Sequence, residues 1–211
     1  MADGTNARGA AGPARLAVFA SGRGTNLGAL LRAFPPAGDA EAETVLVISD
    51  RSDAGALEVA REAGVRALHL PFGRDREAFE ATANAALRAS QVDLVALAGF
   101  MRVLSPAFAE AWRGRLLNIH PSLLPAFPGL HAVRQALAAG ATRSGCTVHF
   151  VDAGVDTGPV ILQREVPVLP DDDEASLQAR IQVEEHLAYP AAVRSVLRGE
   201  ARDDGTVGSA R

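Results

Sequence analysis

The sequence predicts an α/β fold: a Rossmann-like, mostly parallel sheet with helices on both faces and an antiparallel addition in its C-terminal part. Short apolar runs rich in valine and leucine recur through the first half, as expected of strands covered on both faces. Segments with helical periodicity alternate with them, which is the pattern of β–α–β units. After Leu117 the alternation gives way to closely spaced strand-like runs, the last pair able to join antiparallel.

In chain order the strands are "RLAVFA" (15–20), "TVLVIS" (44–49), "VRALHL" (65–70) and "VDLVALA" (92–98). The intervening helical stretches are "NLGALLRAF" (26–34), "DAGALEVAREAG" (53–64) and "DREAFEATANAALRAS" (75–90). A Pro-rich loop and a helix-like "HAVRQALAAG" (131–140) then precede "TVHFV" (147–151) and "PVILQREVPV" (159–168). The stretch from Asp173 to Arg198 reads as a helix packed back on the sheet, with Pro190 expected to kink or interrupt it. Residues 1–14 and 200–211 are small and polar without apolar periodicity, as expected of tails, and bracket one domain over 15–199.

Composition excludes several chemistries. The 211 residues, 48% apolar and 22% charged with a net charge of −4, suit a soluble globular domain without the footprint of a nucleic-acid or membrane binder. No secretory signal or bilayer-length apolar run is found, so a cytoplasmic protein is expected. Cys146 is the only cysteine, which leaves no intrachain disulfide and no multi-cysteine metal site. All 21 basic residues are arginine. Schiff-base, lysine-anchored pyridoxal phosphate and Walker-type chemistries are therefore excluded, and a phosphate must be held by backbone amides, hydroxyls or arginine.

Two loops carry chemistry. "SGRGTN" (21–26) joins the first strand to the first helix, where glycines permit close approach and the helix N-terminus offers free N–H groups to an anion. A tight turn capped by Thr25 or Asn26 is the structural alternative, but a phosphate site at Gly24, Thr25 and Asn26 is favoured. Asn118 and His120 in "LLNIHP" lie two residues apart on an apolar strand, so both face the same side, and Pro121 restricts the histidine backbone. Alone, such a pair is more often structural. Asp156, in the Gly-rich loop of "TVHFVDAGVDTGPVIL", adds a carboxylate at the same expected sheet edge, completing an amide, an imidazole and a carboxylate able to hold an oxyanion and move a proton. His69 and His149 read as core or sheet-face residues; His131 and His186 stand near the site. No spacing suggests a metal site.

The motifs "SGRGTN", "DLVALAGFMRVLSPAF", "GRLLNIHPSLLPAFPGLHAVRQAL", "GCTVHFVDAGVDTGPVILQREVPV" and "EEHLAYP" resemble the folate-dependent phosphoribosylglycinamide formyltransferases across nearly the whole chain. The resemblance implies formyl transfer from 10-formyltetrahydrofolate to the amine of 5-phosphoribosylglycinamide, with no metal, in a monomer or homodimer. It implies Asn118, His120 and Asp156 as catalytic residues and Gly24, Thr25 and Asn26 as the phosphate loop. Gln182, Val183, Glu184 and Glu185 match a segment near the ribose, with Glu185 the candidate for its hydroxyls. Arg76, Met101, Arg102, Val103, Leu104, Asn118 and the loop Asp152, Ala153, Gly154, Val155, Asp156 match folate-contacting positions. Ala153 stands where the family commonly has an acid, with Asp152 one position earlier, and altered folate contacts are expected; Thr25 keeps the hydroxyl of a serine found in many relatives. A methionyl-tRNA formyltransferase or a formyltetrahydrofolate hydrolase would be expected to carry a further domain. A non-catalytic nucleotide-binding module would leave Asn118, His120 and Asp156 unexplained.

Overall fold

The computed structural model describes residues 12–37 and 41–204. Most of the two expected tails, 1–11 and 205–211, lies outside the described residues. The first strand starts at Ala14, one residue inside the expected tail, because Ala14 pairs with Ala42.

Seven strands form one sheet: β1 (Ala14–Phe19), β2 (Ala42–Ser49), β3 (Arg66–His69), β4 (Leu94–Leu97), β5 (Leu116–His120), β6 (Arg143–Phe150) and β7 (Val160–Pro167). Their order is β3-β2-β1-β4-β5-β6-β7, parallel from β3 to β5 and antiparallel across β5–β6 and β6–β7. Strand order reverses between β1 and β4. In open α/β sheets ligands bind at such a switch point, beyond the carboxyl ends of the strands.

The helices are α1 (Thr25–Ala33), α2 (Gly55–Glu62), α3 (Arg76–Ala89), α4 (Pro106–Ala111), α5 (Ala132–Ala138) and α6 (Glu174–Leu197). Strand alternation sorts the core into two layers. Leu16, Val18 and Ala20 of the first strand segment pack with residues of α1, α2, α5 and α6, whereas Ala17 and Phe19 pack with Phe79 and Leu87 of α3 and Phe108 of α4. Each buried large apolar side chain contributes roughly 1.5–3 kcal/mol relative to exposure. Phe19 also meets Phe79 and Phe100 edge-on, at ring-centroid distances of 6.5 and 5.4 Å.

The short α4 has a clear local cause. Ser105 caps it by accepting the Phe108 N–H, Pro106 opens the first turn, and the buried Glu80 holds the Ser105 N–H. At the other end, Asp173 and Ser176 form a capping box for α6. Contrary to expectation, Pro190 does not interrupt α6, which runs unbroken for 24 residues. Pro190 is buried among Ala188, Tyr189, Ala192 and Val193. This packing outweighs the roughly 3 kcal/mol cost of an internal proline. The neighbouring Tyr189 hydroxyl donates to the carbonyls of Leu97 and Leu117 at 2.9 and 3.2 Å, pinning α6 to the end of β4 and the start of β5.

Candidate active site

The loop after β1 places Gly24 at the N-cap of α1 with φ +84°, and no side chain caps the helix. Neither Thr25 nor Asn26 is the cap, so no capping side chain takes the first N–H groups of α1, which have the helix dipole behind them as an anion site requires. Glycine is needed twice over at position 24: for its left-handed backbone, and because a Cβ would stand 2.8 Å from Ala56 Cα.

α6 closes over this loop. Gln182 and Glu185, one turn apart, face it: Gln182 Nε2 donates to Thr25 Oγ1 at 2.8 Å, and Asn26 Nδ2 donates to Glu185 Oε2 at 2.9 Å. The Thr25 hydroxyl hydrogen stays available to an anion. Val183 and Glu184 do not join them; Val183 is exposed and Glu184 pairs with Arg164 at 3.0 Å. Burial pushes the Glu185 carboxyl above its ordinary range despite the Asn26 hydrogen bond. Asn26 Oδ1 is buried without a partner. His186, next to Glu185 in the chain, is half-buried, and burial, then the Arg32 charge, lowers its pKa.

On the other side of the switch point lies a cavity of about 440 Å³, within the range of small-molecule sites. Met101, Arg102, Val103, Leu104, Asn118, His120, Asp152, Gly154, Val155 and Asp156 line it, together with His131 and His149. Met101, Val103, Leu130 and Val155 are exposed and give it an apolar rim. Two expected members do not reach the wall. Arg76 starts α3 with its guanidinium 3.9 Å from Glu80, and Ala153 lies off the lining. Asp152 lines the cavity, but its carboxylate folds back on its own loop, accepting from Gly154 N and Thr157 Oγ1.

Asp156 is the hub of the cavity floor. Its backbone is left-handed, at φ +55°, a conformation aspartate tolerates better than most residues. Oδ2 accepts the Gly129 N–H at 2.8 Å and faces His120 Nδ1 at 3.3 Å; Oδ1 accepts from Asn118 Nδ2 at 3.3 Å. His120 Nε2 donates to the Phe127 carbonyl at 2.8 Å. Both of its ring nitrogens thus face acceptors, an arrangement that suits the doubly protonated ring. Burial pushes the Asp156 carboxyl up, but the His149 ring, the Gly129 N–H and the His120 charge together outweigh it and hold its pKa below the ordinary 3.8.

His149 was expected to be a core or sheet-face residue; it is buried in β6, yet it also belongs to this cluster. It pairs across the strands with Asn118, and its Nε2 lies 3.1 Å from Asn118 Nδ2 and 3.5 Å from Asp156 Oδ1. Its Nδ1 donates to the Phe150 carbonyl at 2.7 Å, which leaves Nε2 between the Asn118 amide nitrogen and Asp156 Oδ1. His69 ends the edge strand β3, exposed. Cys146 is buried in β6 with its thiol pushed up to about 12 by burial, which removes the thiolate a nucleophile needs. Among the described residues no group of His, Cys, Asp and Glu could hold a metal ion, and no helix is long and apolar enough to cross a membrane.

Residues 14–193 match the family model described as formyl transferase. The chain belongs to the formyl transferase family. This formyl transferase is 48% identical over 186 residues to the phosphoribosylglycinamide formyltransferase of Mycobacterium tuberculosis, covering 87% of the chain and 85% of that protein. It is 52% identical over 191 residues to the trifunctional purine biosynthetic protein adenosine-3 of Drosophila melanogaster, covering 89% of the chain but only 14% of that longer protein. In structure it is similar to glycinamide ribonucleotide transformylase 1 from Symbiobacterium toebii, with TM-score 0.85, 48% identity and 94% of each chain covered.

Proposed function

We propose that this formyl transferase moves the formyl group of 10-formyltetrahydrofolate to the amine of 5-phosphoribosylglycinamide, giving 5'-phosphoribosyl-N-formylglycinamide and tetrahydrofolate in purine biosynthesis. The observation that carries the reading is Asp156 in contact with both Asn118 and His120 on the floor of the cavity. The uncapped α1 terminus on the far side of the switch point provides a place for the acceptor's phosphate.

The formyl donor is consumed as a second substrate. The apolar rim and volume of the cavity fit a flat heterocycle of its class. In the reaction a C–N bond forms between the amine and the formyl carbon, the bond from that carbon to the donor nitrogen breaks, and one proton passes from the amine to the released nitrogen. Asn118 Nδ2–H and protonated His120 stabilise the negative charge that develops on the formyl oxygen. Because Asn118 Nδ2 also lies 3.1 Å from His149 Nε2, that contact is the one exchanged for the oxyanion. Asp156 keeps His120 protonated and collects the amine proton, directly or through water. Gly24, Thr25 and Asn26 hold the phosphate through backbone N–H groups and the Thr25 hydroxyl, and Glu185 accepts from the ribose hydroxyls.

Mixing the protein with 10-formyltetrahydrofolate, with and without phosphoribosylglycinamide, tests the reading. Tetrahydrofolate should appear only when the amine is present. Release without the amine would mark a hydrolase, and no release a binding module.

A further inference from the structure

One buried charge of the sheet edge has no part in the transfer chemistry. Asp50 follows β2, its side chain 1% exposed. Its Oδ1 accepts from Ser21 Oγ at 2.6 Å and its Oδ2 from Arg102 Nε at 2.6 Å. Ser21 Oγ in turn accepts the Met101 N–H at 2.9 Å, while the Ser21 N–H donates to the Gly99 carbonyl at 3.1 Å. The Arg102 guanidinium lies over the Phe72 ring, 5.3 Å from its centroid.

These contacts form a belt across the carboxyl ends of β2, β1 and β4, which are neighbours in the sheet. One end of the belt is the loop that begins the anion cradle, and the other is the Met101–Leu104 wall of the cavity. Met101 and Val103 are each 62% exposed, so this stretch of wall is held by polar contacts more than by packing. A buried carboxylate bonded to a hydroxyl and a guanidinium is a stiff connector, because charge-assisted hydrogen bonds are short and strong. Its loss leaves the Arg102 guanidinium and the Ser21 hydroxyl without the partner that orients them.

We propose that Asp50 is a positioning residue for the formyl donor: through Ser21 and Arg102 it sets the Met101–Leu104 wall against the anion loop. The inference rests on the two-substrate reading of the site. It differs from a purely structural role in what it moves. Loosening the wall weakens the donor in ground state and transition state alike, which raises KM and spares kcat.

Asp50→Asn, Ser21→Ala and the double variant should be compared with the wild type in steady-state kinetics for both substrates. Direct binding of tetrahydrofolate should be measured by calorimetry alongside. Asp50→Asn should raise the donor KM and the tetrahydrofolate Kd roughly five- to tenfold, with the acceptor KM and kcat within about twofold. Ser21→Ala should act in the same direction, and the double variant should be no worse than the larger single effect, because both break one connection. An unchanged donor KM, an equal rise in both KM values, or a lower melting temperature with both KM values unchanged would overturn the proposal. Should Asp50→Asn fail to fold, Ser21→Ala, which cuts the same connection from a residue outside the cavity lining, decides by the same readout. Absence of amine-dependent turnover in the wild type would strike the two-substrate reading instead, and the calorimetric comparison would still decide whether Asp50 holds the wall.

Discussion

Replacing Asp156 by asparagine removes one charge from the centre of the site with little change of shape. Four groups converge on that carboxylate: the Gly129 N–H at 2.8 Å, Asn118 Nδ2 and His120 Nδ1 at 3.3 Å, and His149 Nε2 at 3.5 Å. Asparagine keeps one acceptor for Gly129 and tolerates the left-handed backbone, so the fold should survive with a loss of about 1–3 kcal/mol. Chemistry should suffer more. Without the carboxylate nothing favours the protonated His120 ring, and the amine loses its proton acceptor. Losing positioned acid–base assistance costs on the order of 10²- to 10⁴-fold, or about 2.7–5.4 kcal/mol of barrier. Turnover followed by tetrahydrofolate release should fall by that factor, while both KM values stay within about threefold. A variant turning over within threefold of wild type would refute the assignment. Linkage gives a second readout. The folded Asp156 pKa is depressed, so its contribution to stability is present above the unfolded value near 3.8 and is lost as pH falls through the folded value. The stability gap between wild type and Asp156→Asn should therefore be open at neutral pH and close only in strong acid, as melting curves at several pH values would reveal.

Asn118→Ala should lower kcat about 10²- to 10³-fold, the usual loss of one oxyanion donor, with the circular dichroism spectrum unchanged; a rise in KM alone would make it a binding residue. His149→Phe keeps a buried ring but removes the imidazole nitrogen that faces Asn118 and Asp156, so kcat should drop by a smaller factor, about tenfold, and wild-type turnover would return His149 to the purely structural class. Glu185 has a raised folded pKa, so its ionised form costs stability at neutral pH. Glu185→Gln should consequently melt higher than wild type at pH 7, lose that advantage as pH falls through the raised folded value toward the ordinary 4.5, and raise the acceptor KM; equal melting temperatures at pH 7 would contradict the burial argument. Gly24→Ala should destabilise by more than about 1 kcal/mol whatever its effect on substrate, because its Cβ meets the α2 backbone, so Thr25→Val is the cleaner probe of the anion loop and should raise the acceptor KM, with stability lowered only by the lost Gln182 hydrogen bond, about 0.5–1.5 kcal/mol.

Much of this arrangement is legible in residue order. Period-two alternation separates Leu16 and Val18 from Ala17 and Phe19, and so assigns the two core layers before any coordinate is known. The pair Asn118 and His120 projects to one side of β5 for the same reason. Tertiary pairing is what the sequence conceals. His149 reads as one more histidine in an apolar run until antiparallel register sets it opposite Asn118. Asp50, Ser21 and Arg102 are far apart in the chain and meet only because β2, β1 and β4 are neighbours. Pro190 misleads because local propensity cannot weigh the burial that lets α6 continue through it. Similarly, Gln182 and Glu185 turn to the anion loop while Val183 and Glu184 turn away, a division set by helical phase rather than by residue type. The Ser105-Pro106 start of α4 carries an ordinary N-cap and N1 signal, yet the helix is too short for its periodicity to register.

The central claim is that the Asn118, His120 and Asp156 cluster directs a formyl group onto an amine. Donor labelled with carbon-13 in its formyl group, incubated with phosphoribosylglycinamide and the protein, follows that atom directly by NMR. The label should appear as an amide formyl on the glycinamide nitrogen with the wild type and be strongly suppressed with His120→Ala. Label recovered as free formate, or transferred equally well by His120→Ala, would contradict the account.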